Sequence, residues 1–175
     1  MVLADEIQDI CGLNFALSND FLVRLSEGNL TRDENPITHF SLYFLPYNPH
    51  TNKVFIVHHK KSGLWLSPGG HIDKGETLFQ TLERELLEEL GFSYKTPREL
   101  KPFFLSIVPI NNVKHSCRVH YDIWYKIETD GCSFHVDPRE FYDAKWLTIP
   151  EARPLITDSS NLEALAKVEL LFQEM

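Results

Sequence analysis

Apolar residues change their period several times along this chain, and each change predicts an element. Ile7, Ile10 and Cys11 recur at helical spacing, so residues 3–27 are predicted to form one or two helices. The polar SEGNLTRDENP, residues 26–36, follows as a turn-rich connector. ITHFSLYFLP (37–46) and KVFIVHH (53–59) predict strands joined by YNPHTN, and GLWL (63–66) predicts a short third. Pro68-Gly69-Gly70 is the turn expected to end it. Thr77 and Gln80 have capping-box spacing, so a helix is expected to start there. It should stop at Gly91, a left-handed cap, with Phe92 folding back onto the last turn. FFLSIVPI (103–110), CRVHYDIWYKIE (117–128) and DAKWLT (143–148) predict further strands, before a C-terminal helix from about Asp158. Hairpin-like neighbours flanked by helices predict an α/β fold, a mixed sheet covered by helices.

One of these helices carries a charge pattern that packing does not explain. RELLEELG, residues 84–91, places Glu85, Glu88 and Glu89 among leucines. On a wheel of about 100° per residue with Leu78 at zero, the residues Leu78, Phe79, Leu82, Leu86 and Leu90 fill roughly 0–120°. On the same wheel Glu85 falls near about 340°, Glu89 near about 20° and Glu88 near about 280°. A solvated acidic face would put these residues opposite the leucines and supply Lys or Arg four positions on; the sequence does neither. The carboxyl end of a helix also prefers cations. Carboxylates bordering a core are expensive unless they are neutralised or hold a metal, and hard divalent cations bind through oxygen. The pattern therefore points to a cation from outside the chain.

Composition narrows the classes. The 175 residues suit one domain, with 43% apolar and 24% charged residues. A formal net charge of −8 argues against nucleic acid as a sequence-independent partner. Cys11, Cys117 and Cys132 are odd in number and widely spaced, which suits reduced thiols and carries neither a disulfide framework nor a zinc spacing. MVLADEIQD lacks the order of a signal peptide, and no apolar run reaches membrane-spanning length. The expectation is a cytoplasmic protein without a membrane partner.

From Gly70 to Phe92 the sequence is GHIDKGETLFQTLERELLEELGF. It resembles the box of the Nudix hydrolase family at every constrained position: Gly70, Glu76, Arg84-Glu85, apolar Leu86, Glu88-Glu89, Gly91 and apolar Phe92. The resemblance implies a Nudix-type α/β/α sandwich over residues 37–175, with residues 1–36 as an N-terminal helical extension. It implies metal-dependent hydrolysis of a phosphoanhydride in a nucleoside diphosphate linked to another moiety, a small nucleotide-type substrate. Glu85, Glu88 and Glu89 would hold Mg²⁺ or Mn²⁺, with the carbonyl of Gly69 or Gly70 as a further ligand. Arg84 would orient the carboxylates, and Glu76 would hold the loop against the helix. Metal-acidified water would then attack phosphorus. The general base stays open between Glu85 and a loop acid before the last strand, Glu140, with Asp130 and Asp143 as alternatives.

Other motifs are set aside. His58-His59-Lys60-Lys61 is expected to be a solvated hairpin end and His71 a surface or supporting residue. Trp65, Trp124 and Trp146 are expected in the core. Pro109 lies near the place of a proline in ADP-ribose-cleaving relatives, but with the wrong spacing. Two alternatives remain. A catalytically silent ligand sensor of the same fold would show substituted box acids, which are intact here. A prenyl diphosphate isomerase needs a cysteine at the reacting carbon, and none of the three lies near the box in sequence. Homodimer formation is compatible with the sequence and is not decided by it.

Overall fold

A computed structural model of the chain describes residues 2–94, 100–110 and 116–174. The elements are α1 (Leu3–Cys11), α2 (Ser18–Ser26), β1 (Thr38–Asn48), β2 (Lys53–His59), β3 (Trp65–Leu66), β4 (Gly69–His71), α3 (Leu78–Leu90), β5 (Phe104–Pro109), β6 (Val119–Glu128), β7 (Phe141–Thr148), α4 (Ile149–Ala152) and α5 (Ser159–Glu174). Strand order is β3-β2-β1-β6-β5, with β4 also pairing β1 and β7 also pairing β2. Among the described residues, no helix is long and apolar enough to cross a membrane.

The chain divides into two compact units. One comprises Met1–Tyr43, Gly69–Arg84 and Lys95–Tyr125; the other comprises Phe44–Pro68, Glu85–Tyr94 and Lys126–Met175. In the first, β4 pairs antiparallel with β1, Ser41 opposite His71, and β5 pairs antiparallel with β6, Phe104 opposite Trp124. Trp124 is fully buried there. Its ring stacks on Tyr43, and its Nε1–H donates to Ser106 Oγ at 2.9 Å. Ser41 and Ser106 donate to the buried Asp122 carboxylate, so this polar group keeps hydrogen-bond partners inside the core.

The N-terminal helices belong to this first unit. Ile7, Ile10, Cys11 and Phe21 are buried, and Phe21 packs on Phe40 and Tyr121. Arg24, also buried, donates to the carbonyls of Gly28, Asn29 and Thr38 at 2.8–2.9 Å, which ties the connector to the start of β1. A Glu6 carboxylate oxygen accepts the Leu78 N–H at 2.7 Å, an anion at the amino end of α3.

In the second unit, β2 pairs antiparallel with the end of β1, with β3 and, from Lys53 to His59, with β7. Ser67 N–H donates to Asn161 Oδ1, and Asp158 Oδ1 caps α5 through the Asn161 N–H.

Both ends of α3 follow the expected chemistry. Thr77 N–H donates to Gln80 Oε1 and Gln80 N–H to Thr77 Oγ1, a closed capping box. Gly91 has φ 59°, and Phe92 N–H reaches back to the Leu86 carbonyl at 3.1 Å. Two features depart from expectation. Pro68-Gly69-Gly70 is not only a turn: Gly69 and Gly70 pair with β1 as a strand. A short helix, α4, follows β7 directly, with Thr148 and Glu151 closing a capping box and Pro150 in its first turn. Tryptophan placement differs as well, because only Trp124 lies in the core. Trp65 is half-buried under Lys145 and beside His58, and Trp146 donates its Nε1–H to the Cys132 carbonyl.

The glycine at position 69 is required by close approach: a Cβ there would lie 2.3 Å from the Leu42 carbonyl oxygen and 2.7 Å from Tyr43 Cα. At Gly91 the nearest atom would be His135 Cβ at 3.0 Å. Gly69→Ala is therefore expected to destabilise more than Gly91→Ala, about 3 kcal/mol or more against roughly 1 kcal/mol, in paired denaturant titrations.

Candidate active site

The loop from β4 to α3 is closed by one carboxylate. Glu76 N–H donates to the Asp73 carbonyl at 3.0 Å, forming the turn at Lys74-Gly75. The Glu76 carboxylate accepts from Thr81 Oγ1 at 2.8 Å and from the Arg84 fork, Nε to Oε1 at 2.8 Å and Nη2 to Oε2 at 2.9 Å. Arg84 Nη2 also donates to the His71 carbonyl at 3.0 Å. A bidentate charge-assisted pair of this kind is among the stronger polar contacts and fixes orientation as well as distance. Here it fastens strand, loop and helix together. Burial pushes the Glu76 carboxyl up, but the hydrogen bonds from Arg84 and Thr81 and the Arg84 charge outweigh it and hold the group below its ordinary value. Asp73 lies outside this pair, 3.8 Å from Arg84 Nε.

The next residues of α3 carry the acids. Glu85 and Glu89 are each only 7% exposed and lie one turn apart, while Glu88 is exposed. Leu82, Leu86 and Leu90 are buried and Leu87 is 57% exposed, so Glu85 and Glu89 follow the leucine stripe rather than the wet face. Like charges one turn apart on a helix repel, by roughly a few tenths of a kcal/mol at an exposed site and by more as water is excluded. The helix's own negative pole adds to that. The last carbonyls of α3 are taken up by backbone donors: His135 N–H to Leu90 at 2.9 Å and Asp137 N–H to Glu89 at 3.0 Å.

The segment making those bonds leads into Glu140. The Glu140 carbonyl accepts the Lys60 N–H at 2.8 Å, and its carboxylate, half-exposed, lies 3.8 Å from His59 Nε2. Burial lowers the His59 pKa, and Glu140 opposes that shift. Lys60 Nζ donates to the Pro138 carbonyl. The basic run at 58–61 is thus more than a solvated hairpin end, because two of its residues fix the segment that presents Glu140. The other loop acids have different attachments. Asp130 accepts the Cys132 N–H at 3.0 Å, and Asp143 pairs with Lys145 at 2.8 Å, which holds its carboxyl below the ordinary value.

One sequence signal reads differently in space. Cys117, remote from the box in the chain, lies with its Sγ 4.0 Å from His71 Nε2. It is buried, and it faces histidines. Pro109 is exposed at the end of β5, opposite Val119.

With this geometry in place, comparison with known proteins is informative. A family model for the NUDIX domain matches residues 38–168. Among solved structures, the chain is similar to the dihydroneopterin triphosphate pyrophosphohydrolase of E. coli, with a TM-score of 0.64 and 21% identity over 73% of this chain and 92% of that one. It is also similar to the NUDIX domain of Shewanella oneidensis NrtR, solved with ADP ribose, with a TM-score of 0.60 and 18% identity over 74% of this chain and 85% of that one. At these identities the likeness is one of fold: a mixed sheet with helices in an α/β/α sandwich. In sequence, 47 residues are 49% identical to the RNA pyrophosphohydrolase of Helicobacter pylori, covering 26% of this chain and 30% of that protein's length. A domain match over most of the chain, a complete box and a shared fold agree: the chain belongs to the Nudix family.

Proposed function

We propose that this protein is a divalent-metal-dependent pyrophosphohydrolase acting on a phosphoanhydride in a nucleotide-type substrate. The observation that carries this reading is the pair of nearly buried carboxylates, Glu85 and Glu89, one turn apart with Glu88 at the margin. The donor set fits Mg²⁺ or Mn²⁺: three carboxylates with hard oxygen ligands on one helix, two of them with low exposure that strengthens their grip on a cation. A further ligand from the Gly69 or Gly70 carbonyl rests on the box alone. When bound, the ion would lower the pKa of a water and neutralise charge on the phosphate oxygens. Glu76 and Arg84 touch no reacting atom in this account; they hold the loop and the helix in register. Glu140 is the favoured base for the proton of the attacking water. It is half-exposed, lies 3.8 Å from His59 Nε2, and follows the segment bonded to the end of α3. Asp130 and Asp143 are engaged elsewhere, and Glu85 is assigned to the metal.

The similar proteins support a nucleotide or nucleotide-like substrate, and three classes follow from them: small nucleoside polyphosphates, ADP-ribose-like compounds and the 5′ end of an RNA. The net charge of −8 favours the first two over RNA, because an acidic chain repels a polyanion beyond the contacted phosphates. A phosphate-release screen over nucleoside triphosphates, ADP-ribose, nucleotide sugars, dinucleoside polyphosphates and a 5′-triphosphate RNA tests this with and without Mg²⁺. Metal-dependent turnover of at least one compound is expected. Tight ligand binding with turnover of none would replace the enzyme with a sensor.

Glu89→Gln keeps the shape of the side chain and removes one charge from the cluster. It is expected to lower metal-dependent kcat by at least about 100-fold, with unchanged circular dichroism. Near-full activity would remove the ligand assignment. The Glu76 clamp gives a separate, activity-independent expectation. Its carboxyl is depressed in the folded state, so its contribution is present above the ordinary carboxylate value and is lost as pH falls through the folded one. Melting temperatures of Glu76→Gln should therefore fall less steeply than wild type through that acid window, from a lower starting point at neutral pH.

A further inference from the structure

Away from the acids of α3, four side chains that can ligate a metal converge within the first compact unit: His39, His71, Cys117 and His120, with ligand atoms all within 4.8 Å of one another. His39 is on β1, His71 ends β4, His120 is on β6, and Cys117 lies two residues before β6. The three imidazole rings are mutually close, with centroids 4.9 Å apart for His39 and His71, 4.9 Å for His39 and His120, and 5.1 Å for His71 and His120. Cys117 Sγ stands 3.8 Å from His39 Nε2 and 4.0 Å from His71 Nε2. We propose that these four residues form a structural zinc site, separate from the carboxylate site of α3.

The geometry agrees with the ion. Zinc–sulfur and zinc–nitrogen bonds of about 2.3 and 2.0–2.1 Å in a tetrahedron put sulfur and nitrogen roughly 3.6 Å apart. The two sulfur–nitrogen separations of 3.8 and 4.0 Å need to contract by only a few tenths of an ångström, and no pair of ligand atoms starts more than 4.8 Å apart. A thiolate with three imidazoles is a soft-to-borderline donor set, which selects zinc over the magnesium that suits carboxylates. Four protein ligands also close the coordination sphere, the mark of a structural rather than a catalytic site.

The surroundings of His39 are those of a ligand. Its Nδ1 lies 2.9 Å from the Asn35 carbonyl, so this nitrogen carries the hydrogen and Nε2 keeps its lone pair toward Cys117. Asn35 is itself held, its Oδ1 accepting the Ile37 and Thr38 N–H groups. Burial lowers the His39 pKa; the Asn35 bond opposes this, and the Arg32 and Arg24 charges add to the lowering, which favours the neutral, ligating form. Arg32 Nη1 lies 3.4 Å from His71 Nδ1 and turns aside once Nε2 takes the metal and Nδ1 the hydrogen. Cys117 binds as thiolate, releasing its proton to solvent.

The site would join β1, β4 and β6 at the residue whose carbonyl accepts Arg84, so zinc would brace the loop that the Glu76–Arg84 pair closes. The test is metal analysis of untagged protein reconstituted with zinc and dialysed. About one zinc per chain is expected, lost in Cys117→Ser and in His120→Gln and kept in Glu89→Gln. Cobalt in place of zinc should give a thiolate-to-cobalt charge-transfer band and tetrahedral d–d absorption. If the ligand variants fail to fold, the wild-type cobalt spectrum decides alone, and absence of the charge-transfer band overturns the site. Zinc below about a tenth per chain overturns it too, as does zinc kept by the Cys117 and His120 variants but lost from Glu89→Gln.

Discussion

Removing Glu85 and Glu89 from water, one turn apart toward the negative end of a helix, costs free energy that leucine packing alone does not return, because each carboxylate loses hydration. An arrangement of this kind is sustained by positive charge or by donors aimed at it. Under the proposed function, a chain that adopts it would hold carboxylates ready for a divalent cation instead of rearranging them when the cation arrives. Function and local stability would then oppose each other on this turn of α3, as is common where a site is organised in advance.

The rest of the site supports that turn. Glu76 and Arg84 neutralise each other and orient the start of α3 against its loop. Glu6 supplies a carboxylate at the amino end of the same helix, and the backbone of 135–137 occupies the carbonyls at its other end. Both poles of α3 are thus engaged by protein groups, and the helix presents its acids from a fixed frame. The proposed zinc site would act on the same frame from β4. In that view the chain uses two metals for two tasks: a hard ion on oxygen for chemistry, and a borderline ion on nitrogen and sulfur for shape.

Local patterns made much of this legible in the sequence. The capping box at Thr77, the left-handed Gly91 and the leucine stripe each specify α3 through contacts within a few residues, and the acids could be placed on that stripe by angle alone. What escaped depends on residues far apart in the chain. Gly69 and Gly70 resemble a turn because glycine and proline weaken the strand signal, yet their lack of side chains is what lets them lie against Leu42 and Tyr43. Lys60 is exposed, as expected, but its bonds to the Pro138 and Glu140 carbonyls could not be read because those partners are some eighty residues away. The His39, His71, Cys117 and His120 cluster was invisible for the same reason. Its members come from β1, β4, β6 and the approach to β6, so no spacing rule for zinc could detect them, and the sheet alone brings them together.

The account rests on the acids of α3 being a divalent cation site, and one diffraction measurement tests that most directly. Crystals grown with Mn²⁺ and measured on both sides of the manganese absorption edge should show an anomalous peak at coordination distance from carboxylate oxygens of Glu85, Glu88 and Glu89. Manganese absent from those side chains, or bound only elsewhere in the molecule, would contradict it.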